Sequence, residues 1–307
     1  MSKKARTPRN FRDVSGILLL DKPAGLSSNK ALQKVRYLFK AKKAGHAGSL
    51  DPLATGVLPI CFGEATKFST FLLDASKSYR ATCQLGVSST TGDAEGELTE
   101  KQPVTVTTVQ IEAVLQTFLG DTQQIPPMHS ALKKDGVRLY ELARQGIEVE
   151  REPRKITLYD LTLVDFDEES DQITIDVHSS KGTYIRTLVE DIAHSLGCDA
   201  YITQLDRTGV QPFWDLPLFD FDQLDALDEA KKLDTSLLSI DAAVSDWEAI
   251  FLDEDSSFYL KQGQPVQVPN SPTSGYVRFY DENKEFLGVG FVKSDGKLAP
   301  KRLLRSE

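Results

Sequence analysis

The chain has 307 residues, 40% of them apolar and 26% charged, with a formal charge of -9, which suits one large soluble domain or a large one with a small companion. No apolar run approaches the roughly 18 residues of a membrane span, and the run Gly16 to Leu20 is too short for the apolar segment of a signal peptide, so the expected location is the cytoplasm. Cys61, Cys83 and Cys198 lie far apart and the four histidines lack ligand spacing, which argues against a disulfide framework or a metal site.

Charge is unevenly spread. Residues 1–43 carry 12 Lys or Arg against Asp13 and Asp21, a local excess of +10, so the remainder carries -19. A basic arm or face on an acidic body suits phosphate contacts, which need only local positive potential. Residues 1–13 read as a basic, disordered tail. A short buried strand is predicted over 16–20 and a turn over Asp21 to Gly25. Ser27 or Ser28 then caps a helix with apolar Ala31, Leu32, Val35, Leu38 and Phe39. Its other face carries Lys30, Lys34 and Arg36 and runs on into Lys40, Lys42 and Lys43.

Residues 44–56 form a loop with three glycines and a proline, followed by a strand over 57–62 and a helix over 64–74. Lys77 to Leu85 alternates as a half-buried strand, with Tyr79, Ala81, Cys83 and Leu85 on one face. Thr107 to Leu119 reads as a helix, Gln124 to Arg138 as a loop or hairpin, and 138–145 as helical. Ile173, Ile175 and Val177 mark a further strand. Thr183 is the predicted cap of a helix running to Leu196 and ending at Gly197, and 200–206 is extended. The stretch 215–255 is acidic and partly helical. Beyond about 248, strand-like runs at 265–268, 275–280, 286–292 and 297–304, with the hairpin signal Asp295-Gly296, predict a small all-β module. Strands and helices mix without βαβ order, so the expected class is α+β with a mixed, largely antiparallel sheet flanked by helices.

The informative loop is Gly45 to Gly56. Pro52 pushes Asp51 toward an extended conformation, Gly48 and Gly56 permit close backbone approach, and Leu50 and Leu53 can anchor the loop in the core. Asp51 is thereby held in a cleft, as a catalytic carboxylate requires. A lone Asp-Pro in such a loop is otherwise a turn former.

Several separated motifs narrow the choice: GILLLDKPAGLSS at the start, HAGSLDPLATGVLPICFGEATKF, KSYR at 77–80, QIPPMHSALKKDGVRLYELARQGIEV at 124–149 and SKGTYIRT at 180–187. Together they resemble the bacterial tRNA pseudouridine-55 synthases, the TruB family. The resemblance implies the pseudouridine synthase fold over 14–247, an RNA-clamping insertion at about 125–155, and a small β-rich PUA-like RNA-binding domain over 248–307. It implies that Asp51 is the essential carboxylate, that Arg186 keeps it ionised and oriented, and that Tyr79 stacks on the flipped uracil. His46 would hold the opened T loop, Tyr184 and Leu205 would line the base pocket, and Lys67 would lie close to the site. Lys30, Lys34, Lys42, Lys43, Lys133, Lys134 and Arg138 would face RNA phosphates. The implied partner is the tRNA T stem-loop, with no cofactor, no metal, no obligatory protein partner and a monomeric enzyme. Attack at the sugar, attack at the base and a glycal route all remain open. In this chain Ala47 and Ser49 stand where the family often has threonines, and Asp206 stands where a basic residue is usual.

Overall fold

The computed structural model describes residues 11–305. The predicted disorder of the tail lies outside the described residues up to residue 10. From there the chain is tied down: Arg12 Nη1 bonds Asp234 at 2.6 Å and its backbone N–H meets the Lys40 carbonyl at 2.7 Å.

The strands and helices, in chain order, are β1 (Gly16–Lys22), α1 (Ser28–Leu38), β2 (Ala44–His46), β3 (Thr55–Phe62), α2 (Ser69–Asp74), β4 (Lys77–Leu85), α3 (Thr108–Thr117), β5 (Gly120–Gln124), β6 (Lys133–Lys134), β7 (Val137–Arg138), α4 (Leu139–Ala143), β8 (Arg154–Asp167), β9 (Gln172–Ser179), α5 (Ile185–Ser195), β10 (Ala200–Val210) and α6 (Phe221–Glu229). The C-terminal part adds β11 (Glu248–Phe251), α7 (Glu254–Lys261), β12 (Tyr276–Tyr280), β13 (Phe286–Val292) and β14 (Leu298–Leu303).

One eight-stranded sheet organises the larger part of the chain in the order β1-β3-β10-β4-β9-β8-β5, with β2 also paired to β3. Its pairings are antiparallel except β3 with β10, where Asp206 faces Thr55 and Arg207 faces Gly56. The expected α+β class and the mainly antiparallel sheet are therefore observed. Alternation does what the pattern predicts: Ala81, Cys83 and Leu85 are buried in the same main core as Ile192, Leu188 and Leu32. Ser27 caps α1, accepting from the Lys30 N–H, and Ala31, Leu32 and Val35 face inward.

Four local expectations need correction. The predicted helix over 64–74 is a 3₁₀ turn, Gly63–Lys67, followed by α2, with Phe68 buried at the break. Thr183 does not cap α5. Its hydroxyl donates to the Ser180 carbonyl, and Tyr184 occupies the cap position. The predicted strand at 265–268 reduces to a single bridge, Val266 with Leu298, and the C-terminal module carries the helix α7, so it is not all-β. That module does not stand apart. Phe286 packs on Phe68 with ring centres 5.6 Å apart, and Val289 lies in the same cluster as Ile17, Leu19 and Leu72.

Candidate active site

The 44–56 loop leaves the sheet at β2 and rejoins it at β3, and its backbone is fastened on the way. Ser28, the first residue of α1 and 3% exposed, accepts from the Leu50 N–H at 2.7 Å and donates to the Leu50 carbonyl at 2.9 Å. Lys22 at the end of β1 is fully buried, and its ammonium donates to the carbonyls of Pro23, Leu26 and Pro52. Burial pushes its pKa down to about 8. These bonds bracket Asp51 on both sides.

Asp51 faces Arg186 from the first turn of α5, with Oδ2 and Nη2 3.0 Å apart. The guanidinium is fixed from behind. Nη1 donates to the Thr91 carbonyl at 2.7 Å, Nη2 to the His129 carbonyl at 2.8 Å, and Nε lies 3.7 Å from Asp93 Oδ2. Asp93 itself is buried and accepts from the Thr91 hydroxyl at 2.6 Å. Arg186 therefore lies between two carboxylates. The Asp51 side chain keeps 43% of its surface open to the cleft although protein surrounds it on the other sides. That partial burial raises its pKa; Arg186 opposes the rise and Asp93 adds to it.

The Asp51–Arg186 pair separates two cavities. One, of about 360 Å³, is lined by Tyr79, Leu205, Tyr184, Lys77 and Arg207. The other, of about 620 Å³, is lined by His46, Asp93, Arg138, Tyr140 and Arg144. The insertion walls both through His129, Ser130 and Ala131. Tyr79 is half-buried on β4. Tyr184 is held at its backbone by Gln124, whose side chain accepts from the Tyr184 N–H at 2.8 Å and donates to its carbonyl at 3.0 Å.

Asp51, Arg186, Tyr79, Tyr184, Leu205 and His46 are thus brought together, and Arg138 borders the second cavity. Lys67 is placed elsewhere: it turns toward the C-terminal module, where its ammonium bonds Glu64 and the Leu303 carbonyl. Among the basic residues, Lys30, Lys43 and Lys133 are exposed, Lys34 sits 3.7 Å over the Phe221 ring, Lys42 pairs with Asp13 at 2.6 Å, and Lys134 donates to the Glu150 carbonyl. Asp206 accepts from the Thr55 hydroxyl at 2.6 Å, a bond between β10 and β3. Sequence reading missed Asp93, Gln124, Lys22, Lys77 and Arg207. Lone polar residues in strands and turns carry no periodic signal; only Lys77, which falls in the same alternation as Tyr79, Ala81, Cys83 and Leu85, could have been found, as a lysine on an apolar face.

The fold and cleft define the class first. Chains of two solved assemblies share the architecture: a Cbf5-Nop10-Gar1 complex, at TM-score 0.73 and 23% identity over 94% of this chain and 84% of that one, and an H/ACA RNP bound to a substrate RNA containing 2′-deoxyuridine, at 0.72 and 21% over 95% and 85%. The sequence then gives the family. Residues 36–185 match the TruB family pseudouridylate synthase N-terminal domain, 186–245 the tRNA pseudouridylate synthase B C-terminal domain, and 249–304 the C-terminal domain of pseudouridine synthase II TruB. The tRNA pseudouridine synthase B of Stutzerimonas stutzeri (strain A1501) is 53% identical over 99% of this chain and 100% of its own length. That of Pseudomonas aeruginosa (strain UCBPP-PA14) is 50% identical over 98% and 100%. The chain belongs to the TruB family of pseudouridylate synthases.

Proposed function

We propose that the chain isomerises uridine 55 in the T loop of tRNA to pseudouridine, with Asp51 as the essential carboxylate. The carrying observation is the Asp51–Arg186 pair, 3.0 Å apart at the junction of two cavities. Full-length relatives named tRNA pseudouridine synthase B support tRNA as the substrate. The base leaves C1′ through N1 and rejoins through C5; no atom is gained, so no cofactor is needed. A uridine stacked in a folded loop has to be flipped out to reach the smaller cavity. Tyr79, Tyr184 and Leu205 then replace its lost stacking. Arg186 holds Asp51 ionised, and the Tyr79 hydroxyl assists removal of the C5 proton. His46 and Arg138, on the larger cavity, hold the opened loop and its phosphates, with Lys30, Lys34, Lys42, Lys43, Lys133 and Lys134 along the outer path. The C-terminal module acts as a PUA-like RNA contact, and the enzyme works as a cytoplasmic monomer without a protein partner.

The test is release of tritium from tRNA labelled at uridine C5. Wild type releases it and Asp51→Asn does not, while both bind tRNA. Equal release by the two removes Asp51 from its role. Free uracil as product makes the protein a hydrolase.

A further inference from the structure

Two cations that line the smaller cavity form no ion pair among the described residues, although Asp74 acts on one of them, Lys77, from a distance. Arg207 on β10 is 1% exposed; its Nε donates to the Val57 carbonyl at 2.7 Å, its Nη2 to the Gly48 carbonyl at 3.2 Å, and its guanidinium also meets the Tyr79 hydroxyl. Lys77 on β4 is 6% exposed, and its ammonium donates to the carbonyls of Leu72, Leu73 and Ala75. Neither forms an ion pair among the described residues, and both line the same cavity as Tyr79 and Leu205. Burial, with Arg207 adding, pushes Lys77 down to about 8, which leaves it mainly protonated at neutral pH. Burying one unpaired cation costs folding free energy, and placing a second nearby costs more. A neutral donor would serve the Val57 and Gly48 carbonyls as well. The charge itself is what local structure leaves unexplained.

The reaction supplies the missing counter-charge. When C1′–N1 breaks, the bond's electron pair stays on the base and spreads over N1, O2 and O4. If a nucleophile instead adds at C6, the displaced pair becomes an enolate at O4. Every open route therefore makes the pyrimidine transiently anionic. C5 then bonds to C1′, the C5 proton leaves and N1 gains one, so the charge disappears in the product. We propose that Arg207 and Lys77 form a cationic floor that stabilises this pyrimidine anion, an inference that rests on the pseudouridine-forming reaction. Fixed charges in a dry cavity act strongly on charge that develops only during reaction.

Single-turnover tritium release and tRNA affinity are compared for wild type, Arg207→Lys, Arg207→Gln and Lys77→Gln, with thermal melts to confirm folding. Arg207→Gln is expected to slow release by about 10²-fold with tRNA affinity held within about threefold. Arg207→Lys restores the rate to within about tenfold of wild type, and Lys77→Gln loses about tenfold or more. If Arg207 only fastens the loop, its Lys and Gln variants fall together, and that result overturns the proposal. So does a wild-type rate for Lys77→Gln, whose ammonium bonds Leu72, Leu73 and Ala75 and not the 44–56 loop; this variant decides alone if Arg207→Gln fails to fold. A wild-type enzyme that releases no tritium would refute the reaction instead, so the two failures are distinguishable.

Discussion

Arg186→Met keeps an unbranched stem and removes the charge from between Asp51 and Asp93. Unit charges 3.0 Å apart interact by about 5.5 kcal/mol at an effective dielectric of about 20. Asp51 is 43% open to the cleft, and solvent screening cuts that to about 3 kcal/mol, or about 2 pH units. The sign is fixed by which form Arg186 favours. It favours the carboxylate, so its loss moves the Asp51 pKa further above the ordinary range, on top of the rise that burial already imposes. In the proposed reaction the ionised form is the active one, so the acid limb of the rate profile is expected to move to higher pH by about 1–2 units. Raising the pH recovers part of the loss, because part of it is protonation of Asp51. Arg186→Lys keeps a cation but cannot span Thr91, His129 and Asp51 together; its acid limb stays near wild type while its plateau falls. Single-turnover tritium release from about pH 5 to about pH 9 reads both quantities. An acid limb for Arg186→Met superimposed on that of wild type would refute the electrostatic role.

Asp93→Asn should shift the acid limb the other way, to lower pH, because Asp93 raises the Asp51 pKa; the plateau rate drops about tenfold or more as Arg186 loses its rear partner. Gln124→Leu strands the N–H of Tyr184, whose carbonyl keeps the Leu188 N–H, and should cost about 1–3 kcal/mol, read as a lowered calorimetric melting temperature. Gly56→Ala meets a φ of +92° and a Cβ position 2.4 Å from the Arg207 carbonyl oxygen, so it should destabilise by about 2 kcal/mol or more in urea titration.

The sequence pattern carried the fold where periodicity was strong. β4 and α1 were legible because their buried residues repeat at two and near 3.6. β8 was not: its fourteen residues include exposed Tyr159 and Val164, and its outer half pairs without a covered second face. β5, GDTQQ, has almost no apolar content and is a strand only because β8 pairs with it. The site divides in the same way. Asp51, Tyr79 and Arg186 sit in motifs that can be read, but their supports are single polar residues whose meaning lies in three dimensions. Gln124, read as the start of a loop, holds the α5 entrance 60 positions away. Lys22, read as part of a turn, is a fully buried strand end. Thr183 resembles a helix cap by type, yet its hydroxyl donates to the Ser180 carbonyl, and the α5 entrance is held instead at the Tyr184 backbone by Gln124.

The site's supports share a feature that its charge balance explains. Lys22, Lys77, Arg186 and Arg207 are all buried, and each is solvated by backbone carbonyls: Pro52 for Lys22, Leu72 for Lys77, Thr91 for Arg186, Gly48 for Arg207. Of these four, inside a chain of net charge -9, only Arg186 forms ion pairs among the described residues, with Asp51 and Asp93; Glu95 and Asp74 act on Lys22 and Lys77 without pairing. The acidic exterior repels RNA only over a screened distance of about 8 Å in physiological salt. The buried cations that form no ion pair are screened far less and act where a nucleotide enters. Carbonyl solvation fixes each cation without neutralising it, so the same bonds that hold the Asp51 loop rigid also keep the cavity positive. Positioning and electrostatics are therefore two consequences of one arrangement, and they separate only under substitutions that preserve charge while changing shape.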